Sequence, residues 1–263
     1  MDYHVLLEVA MRASLEAGKA ILDVYQSRYD VQFKADQSPV TAADLAAHRV
    51  LVELLSATDI PVLSEEGSSV DYAIRSTWEY YWLIDPLDGT KEFIHQNGEF
   101  TVNVALIHRD QPVLGVVFIP VTDDLFAGIV GGSGWHFPNM STLSSTTWKE
   151  MNSFVIIPSA NQDHYRVAVS RSHMDAATEL YLQNLRLEKR FLETVSAGSS
   201  MKFCLVAQGR ADEYPRFGPT MEWDTAAGHA ILLSIGKNIY SLQDGDVIRY
   251  NKKEMINGPF VAR

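Results

Sequence analysis

The sequence predicts a layered α/β (α+β) fold in which helix and sheet layers alternate and two halves pack together. Three observations carry this. Residues 4–26 and 42–57 place apolar side chains at steps of three and four, the mark of amphipathic helices. Residues 80–130 read as a succession of apolar strands, a meander. Beyond residue 160 strand and helix patterns alternate, as they do in stacked layers.

The first helix follows from Leu6, Val9, Ala13, Ala17, Ala20 and Val24, the second from Ala43, Ala47, Val50, Leu51 and Leu54. Between them, Val31 to Pro39 reads as a short strand and turn, and Ile60 to Leu63 as another short strand. Tyr80 to Ile84 is a dense apolar strand. Phe100 to Ile107 and Val113 to Ile119 alternate, and Leu125 to Val130 completes the meander. Residues 131–153 are rich in Gly, Ser, Thr and Asn and read as a loop near a boundary between halves, 1–155 and 156–263. Then come a strand at Val167 to Ser170, a helix at Met174 to Leu185 and a strand at Phe191 to Val195. A helix at Ser199 to Gln208, a strand at Asp212 to Tyr214, a helix at Thr225 to Ile235 and a strand at Asn238 to Leu242 follow. Trp135 and Trp148 read as packing residues, since exposed nucleotide platforms usually have basic neighbours.

The bulk composition excludes several classes. A net charge of −11 argues against a nucleic-acid polymer as partner. An acidic protein can still bind a small phosphate when metal ions sit between the two. The single cysteine, Cys204, cannot form an internal disulfide and reads as a small core side chain. The N-terminal segment lacks the apolar run of a signal peptide, and no stretch approaches the ~18 apolar residues of a membrane span. The expected location is the cytoplasm, with peripheral contact at the inner membrane left open.

The chemistry concentrates in a few acidic contexts. In Trp82-Leu83-Ile84-Asp85-Pro86-Leu87-Asp88-Gly89-Thr90 a buried strand ends with two carboxylates three residues apart. Pro86 fixes φ and Gly89 permits a tight turn, so both acids are held rigidly. Like charges this close raise each other's pKa unless a cation intervenes. Glu65 and Glu66 follow the strand at 60–63, Asp224 opens a helix of small residues, and Thr41 and Asp44 open the second helix. Each has an ordinary reading as well: an N-cap for Asp224, a capping box for Thr41 and Asp44, a solvated turn for Glu65 and Glu66. All candidate ligands are oxygens, without Cys or His at ligand spacing, which selects magnesium or manganese over zinc. Two such ions clamp a phosphoryl group, activate water and neutralise the leaving oxygen.

In this combination the motifs resemble the inositol monophosphatase superfamily of lithium-sensitive, magnesium-dependent phosphatases. The acidic turn Glu65-Glu66, the run Asp85-Pro86-Leu87-Asp88-Gly89-Thr90 and the run Trp223-Asp224-Thr225-Ala226-Ala227-Gly228 occur in the family's order and separations. Asp88 to Phe93, Asn97 to Asn103, Ser170 to His173, Gly198 to Cys204 and Tyr214 to Thr220 resemble the CysQ branch, whose members are 3′(2′),5′-bisphosphate nucleotidases. The resemblance implies the sugar-phosphatase type of layered sandwich and two to three Mg²⁺ ions. It also implies a small nucleoside bisphosphate, adenosine 3′,5′-bisphosphate, as substrate. Glu65, Asp85 and the Leu87 carbonyl would hold one ion, and Asp85, Asp88 and Asp224 a second, with Glu65 reaching a third through water. Residues 1–155 would then be the metal-binding half, and 156–263 would contribute Asp224 and nucleotide contacts. Asp44, Thr90 and Glu65 would be catalytic, with Thr41 positioning Asp44.

Substrate contacts are expected from Gly89, Thr90, Ser170, His173, Ser199, Lys202, Arg216 and Asp224. Lys202 and Arg216, embedded in apolar or turn segments, are candidates for a 5′-phosphate, with Arg171 beside them. Residues 131–161 match nothing in the family pattern and leave a lid or a homodimer surface open. Two competing readings remain at this level. One is an inositol or sugar phosphatase; the other is a non-catalytic sensor of a phosphorylated metabolite, against which the retention of Thr90 and Asp44 argues.

Overall fold

The computed structural model describes residues 1–27, 31–33, 39–142, 164–171, 175–189 and 191–263. In chain order its elements begin α1 (Tyr3–Tyr25), β1 (Val31–Phe33), β2 (Pro39–Thr41), α2 (Ala42–Ser56), β3 (Val62–Ser64), α3 (Tyr72–Arg75), β4 (Tyr80–Asp88) and α4 (Thr90–Ile94). The meander is β5 (Thr101–His108), β6 (Gln111–Ile119), β7 (Asp124–Ile129) and β8 (Gly134–Phe137). Then follow β9 (Tyr165–Ser170), α5 (Ala176–Glu188), β10 (Leu192–Ala197), α6 (Met201–Ala207), β11 (Tyr214–Arg216) and β12 (Thr220–Met221). The chain continues with α7 (Glu222–Ser234), β13 (Ile239–Ser241), β14 (Ile256–Asn257) and β15 (Phe260–Ala262).

A six-stranded sheet in the order β3-β4-β5-β6-β7-β8 forms the central layer. Its β3–β4 pair is parallel and the others are antiparallel. Successive side chains of a strand face opposite layers. Accordingly Trp82, Ile84, Val102, Val104 and Leu106 pack against Leu7, Met11 and Ala17 of α1 and Leu51 of α2. Tyr81, Leu83, Ala105, Ile107 and Val117 pack on the opposite side against Phe203 and Val206 of α6 and Ala227 and Ile231 of α7. Burial on both faces explains why these strands are so densely apolar.

Helix α7 lies exceptionally close to the sheet. A Cβ added at Gly115 of β6 would stand 2.3 Å from the Ala227 carbonyl oxygen and 2.8 Å from the Ala230 Cβ. The small residues of α7 are what this close approach requires.

Several expectations need amendment. The loop reading of 131–153 fails at β8, which pairs with β7 through Trp135↔Ala127. Four residues are too few to show an alternating pattern, although Trp135 is buried as a packing residue. Trp148 lies outside the described residues. The strand expected at 212–214 sits at β11, an edge strand of the order β11-β15-β13, where Pro215 is tolerated. Strands β12, β14 and β15 were not expected, being two or three residues long. Helix α6 begins at Met201 rather than Ser199 because Ser199 has φ of 51°, outside helical geometry. Cys204 is buried, and burial pushes its thiol pKa up. Among the described residues, no helix is long and apolar enough to cross a membrane.

Candidate active site

Three element ends and one buried strand build the site. Strand β3 runs parallel to β4 with Ser64 opposite Ile84, so Glu65 and Asp85 come next in register at the same end of the sheet. The Glu65 N–H donates to the Ile84 carbonyl at 3.2 Å. Past Asp85 the β4–β5 pairing is interrupted: Asp85 faces Asn103, Asp88 faces Thr101, and Pro86 and Leu87 form the irregularity between. Such bulges re-aim side chains. Here the Leu87 N–H donates to Asp85 Oδ1 at 3.1 Å, closing a tight turn. Gly89 follows with φ of 95°, and an added Cβ would be 3.3 Å from the Glu99 carbonyl oxygen and the Ser199 Cβ, so only glycine fits without strain.

Asp224 stands at the third position of α7, where its Oδ2 accepts the Met221 N–H at 2.8 Å. Thr41 and Asp44 form a full capping box at α2: Asp44 Oδ2 accepts the Thr41 N–H at 2.7 Å and the Thr41 hydroxyl at 2.6 Å. The other Asp44 oxygen, Oδ1, accepts the Thr90 hydroxyl at 3.2 Å. The capping reading and the pairing with Thr90 therefore coexist.

These acids sense one another. Asp85 is buried, and its pKa is raised well above the carboxylate range by burial, then by Glu65, Asp88 and Asp224. Asp224 is likewise raised, by burial and then by Asp88, with the Met221 N–H opposing. Burial also raises Asp44, against the Thr41 hydrogen bonds. Among the described residues, no three acidic, His or Cys groups are drawn together at metal-coordinating separations. Asp224 caps its helix, Asp85 turns to Leu87, and Asp88 Oδ2 accepts from Ser200 Oγ at 2.8 Å and Asn103 Nδ2 at 3.3 Å. The donor set nonetheless fits hard divalent cations, being all oxygen and dense in negative charge.

A cleft of about 290 Å³ opens over this cluster. Glu65, Asp88, Gly89, Thr90 and Asp224 line it. Ser170, Ser199, Lys202 and Arg216 line it as well. His173 lies outside the described residues. Arg171 is held away by a two-pronged ion pair, Nε and Nη2 each 2.7 Å from a Glu99 carboxylate oxygen. Lys202 is buried: its Nζ donates to the Ser199 carbonyl at 2.6 Å and the Ala197 carbonyl at 3.2 Å, over the Tyr214 ring. Burial pulls its pKa down to about 8, while Asp88 opposes. Sequence reasoning about single residues missed Asn103 and Tyr214. The available signal was a carboxamide in an otherwise apolar strand.

The model of the inositol monophosphatase family matches residues 2–261. The chain belongs to that family. Within it, the chain is similar to the CysQ proteins: the 3′(2′),5′-bisphosphate nucleotidase CysQ of Shigella flexneri is 44% identical over 261 residues, 97% of each chain. The crystal structure of CysQ from Bacteroides thetaiotaomicron, a bacterial member of the same family, matches with a TM-score of 0.90 at 42% identity, covering 99% of this chain and 97% of its own. The extragenic suppressor protein SuhB from Bartonella henselae shares the fold, with a TM-score of 0.75 at 22% identity over 98% of this chain and 93% of its own.

Proposed function

We propose that this chain is a magnesium-dependent 3′(2′),5′-bisphosphate nucleotidase that hydrolyses adenosine 3′,5′-bisphosphate to AMP and phosphate. The observation that carries the reading is electrostatic. Glu65, Asp88 and Asp224 line one cleft with Asp85 buried beside them, and these neighbouring acids raise the proton affinity of Asp85 and Asp224, an arrangement that calls for cations. The similarity to CysQ nucleotidases along nearly the whole chain supports the substrate class.

Glu65, Asp85 and the Leu87 carbonyl would hold one ion, and Asp85, Asp88 and Asp224 a second; Glu65 would reach a third through water. When bound, such ions supply an activated water and a positive field at the phosphoryl oxygens. The chain's own residues do the rest. Both protons offered by Thr41 fix Asp44 Oδ2, which leaves Oδ1 to accept from Thr90. With its proton directed to Asp44, the Thr90 oxygen is free to accept one from the attacking water, and Asp44, raised by burial, is suited to take the proton on. The water oxygen bonds to phosphorus as the P–O3′ bond breaks, the water's proton passing to Asp44, and the 3′-oxygen takes a proton from solvent water to leave as the hydroxyl of AMP. Gly89 gives the phosphate close access to the backbone, and Glu65 completes the catalytic set. Ser170, Ser199 and Arg216, which line the cleft, are the proposed contacts to the ribose and 5′-phosphate, together with His173, which lies outside the described residues. Lys202 contributes positive charge from beneath and holds the Ser199 turn.

The deciding experiment is a phosphate-release panel comparing adenosine 3′,5′-bisphosphate with inositol 1-phosphate, with and without magnesium, repeated on Asp85→Asn. Preference for the bisphosphate, abolished by metal removal and by Asp85→Asn, is the expected result. Preference for inositol 1-phosphate would overturn the substrate, and tight binding without turnover would favour a sensor. Activity that survived Asp85→Asn intact would overturn the site.

A further inference from the structure

The polar residues behind Asp88 form a second layer that the proposed reaction does not itself use. Asn103 is on β5, at the parity that faces α6 and α7, together with Ala105 and Ile107. It is 1% exposed, and a buried carboxamide is tolerated only with its hydrogen bonds made. Its Nδ2 donates to Ser200 Oγ at 2.9 Å and to Asp88 Oδ2 at 3.3 Å. Its Oδ1 accepts the Thr101 hydroxyl at 3.0 Å, which sets the amide orientation. Ser200 Oγ, itself buried, lies 2.8 Å from the same Asp88 oxygen and 2.9 Å from the Asp224 carbonyl. It has one proton for these two acceptors, and an ionised carboxylate is the stronger acceptor. Ser199 Oγ meanwhile donates to the Asp88 backbone carbonyl at 3.0 Å. Both side-chain donors thus converge on Oδ2 of Asp88, and Oδ1 takes neither.

We infer that Asn103 and Ser200 are positioning residues that clamp the Asp88 carboxylate in ligand orientation, so that they set the affinity of the site for its divalent cation. The inference rests on the metal site proposed above. Outer-layer partners of metal ligands typically govern about 10–100-fold in metal affinity. The strand register supports the pairing: Asn103 is the β5 partner of Asp85, at the point where the bulge begins, so one residue abuts both acids of the Asp-Pro-Leu-Asp turn. Ser200, immediately before α6, approaches the same Asp88 oxygen from a different element, so the carboxylate is held from β5 and from the start of α6.

The test is calorimetric titration of Mg²⁺ into metal-free wild type, Asn103→Leu and Ser200→Ala, with melting temperatures of the metal-free proteins. The magnesium dependence of turnover is recorded alongside. Both variants are expected to bind Mg²⁺ about 10–100-fold more weakly. Half-saturating Mg²⁺ for turnover should rise by the same factor, while KM for the nucleotide at saturating Mg²⁺ stays near wild type. Should Asn103→Leu fail to fold, Ser200→Ala, which deletes a single oxygen, reads the same quantity. Wild-type Mg²⁺ affinity in folded variants would overturn the clamp alone. A lower turnover at every Mg²⁺ concentration with unchanged half-saturation would do so too, since it marks a merely structural role. A wild-type protein that gives no Mg²⁺ isotherm would overturn the metal reading, and the clamp with it.

Discussion

Gly115→Ala tests whether the packing of α7 sets the chemistry at its N-terminus. The new Cβ would sit 2.3 Å from the Ala227 carbonyl oxygen, where ordinary contact begins at 3.4 Å. The shortfall is about 1.1 Å, and the blocking atoms are backbone, so no rotamer change relieves it. Helix and strand must separate by about that amount or tilt. Ala227 lies within one turn of Asp224, so most of the movement reaches the carboxylate. Overpacking of this kind costs about 1–3 kcal/mol, and a displacement of about 1 Å at a positioned group can cost about 100-fold in rate. The assay is kcat at saturating nucleotide and magnesium, with thermal unfolding of the same samples. Turnover within about threefold of wild type, with an unchanged melting temperature, would refute the claim that α7 is braced at Gly115.

Four further outcomes follow from the same structure. His229 is buried between Tyr250 and Asn238, and burial lowers its pKa from 6.5 to about 4. Between those two values the unfolded chain binds the extra proton, so stability rises with pH across that window and is lost on acidification; His229→Gln should flatten a urea-denaturation series over pH 4–6.5 by on the order of 3 kcal/mol. Arg216→Ala should raise KM for bisphosphates more than for monophosphates in steady-state assays, and an equal rise for both would remove it from the 5′-phosphate. Lys202→Ala should also lower the melting temperature, because it strands two buried carbonyls at about 1–3 kcal/mol each; a purely kinetic effect would contradict its role as a cross-link. Glu99→Gln, which weakens the exposed pair with Arg171, should shift stability by only about 1 kcal/mol in thermal melts.

The acidic turns were legible because the residues around them restrict the backbone. Pro86, Gly89 and the small residues after Asp224 each announce a constraint that a solvated acid does not need. Lys202 was legible as unusual but not in its role. A cation in an apolar segment reads as an anion contact, whereas its nearest acceptors are the carbonyls of Ala197 and Ser199. Those carbonyls converge on it because Ser199 takes a left-handed conformation that no serine pattern signals. Asn103 poses a different problem. Parity along β5 places it on the same face as Ala105 and Ile107, but its partner Ser200 is 97 residues away and known only from the fold. Strand β8 escaped because four residues cannot establish a period, and its support comes from pairing with β7.

The one parallel pairing in the central sheet, among the described residues, has a specific consequence for the site. Strand β3 pairs with the edge of β4 in parallel, with Leu63 buried. Only the parallel arrangement brings the residue after β3 beside the residue after Ile84, so that Glu65 meets Asp85. Reversing a three-residue strand would carry Glu65 roughly 10 Å along the sheet, beyond the reach of a shared cation. The N-terminus of α7 brings Asp224 to the same end of the sheet, where its dipole favours a carboxylate. A chain with net charge −11 thus concentrates four carboxylates at that end, and the strand direction that does so is the costlier one to connect. The crossover from β3 to β4 through α3 spans residues 65–79, and it carries the buried Arg75, whose guanidinium holds Asn251 and the Lys252 and Lys253 carbonyls.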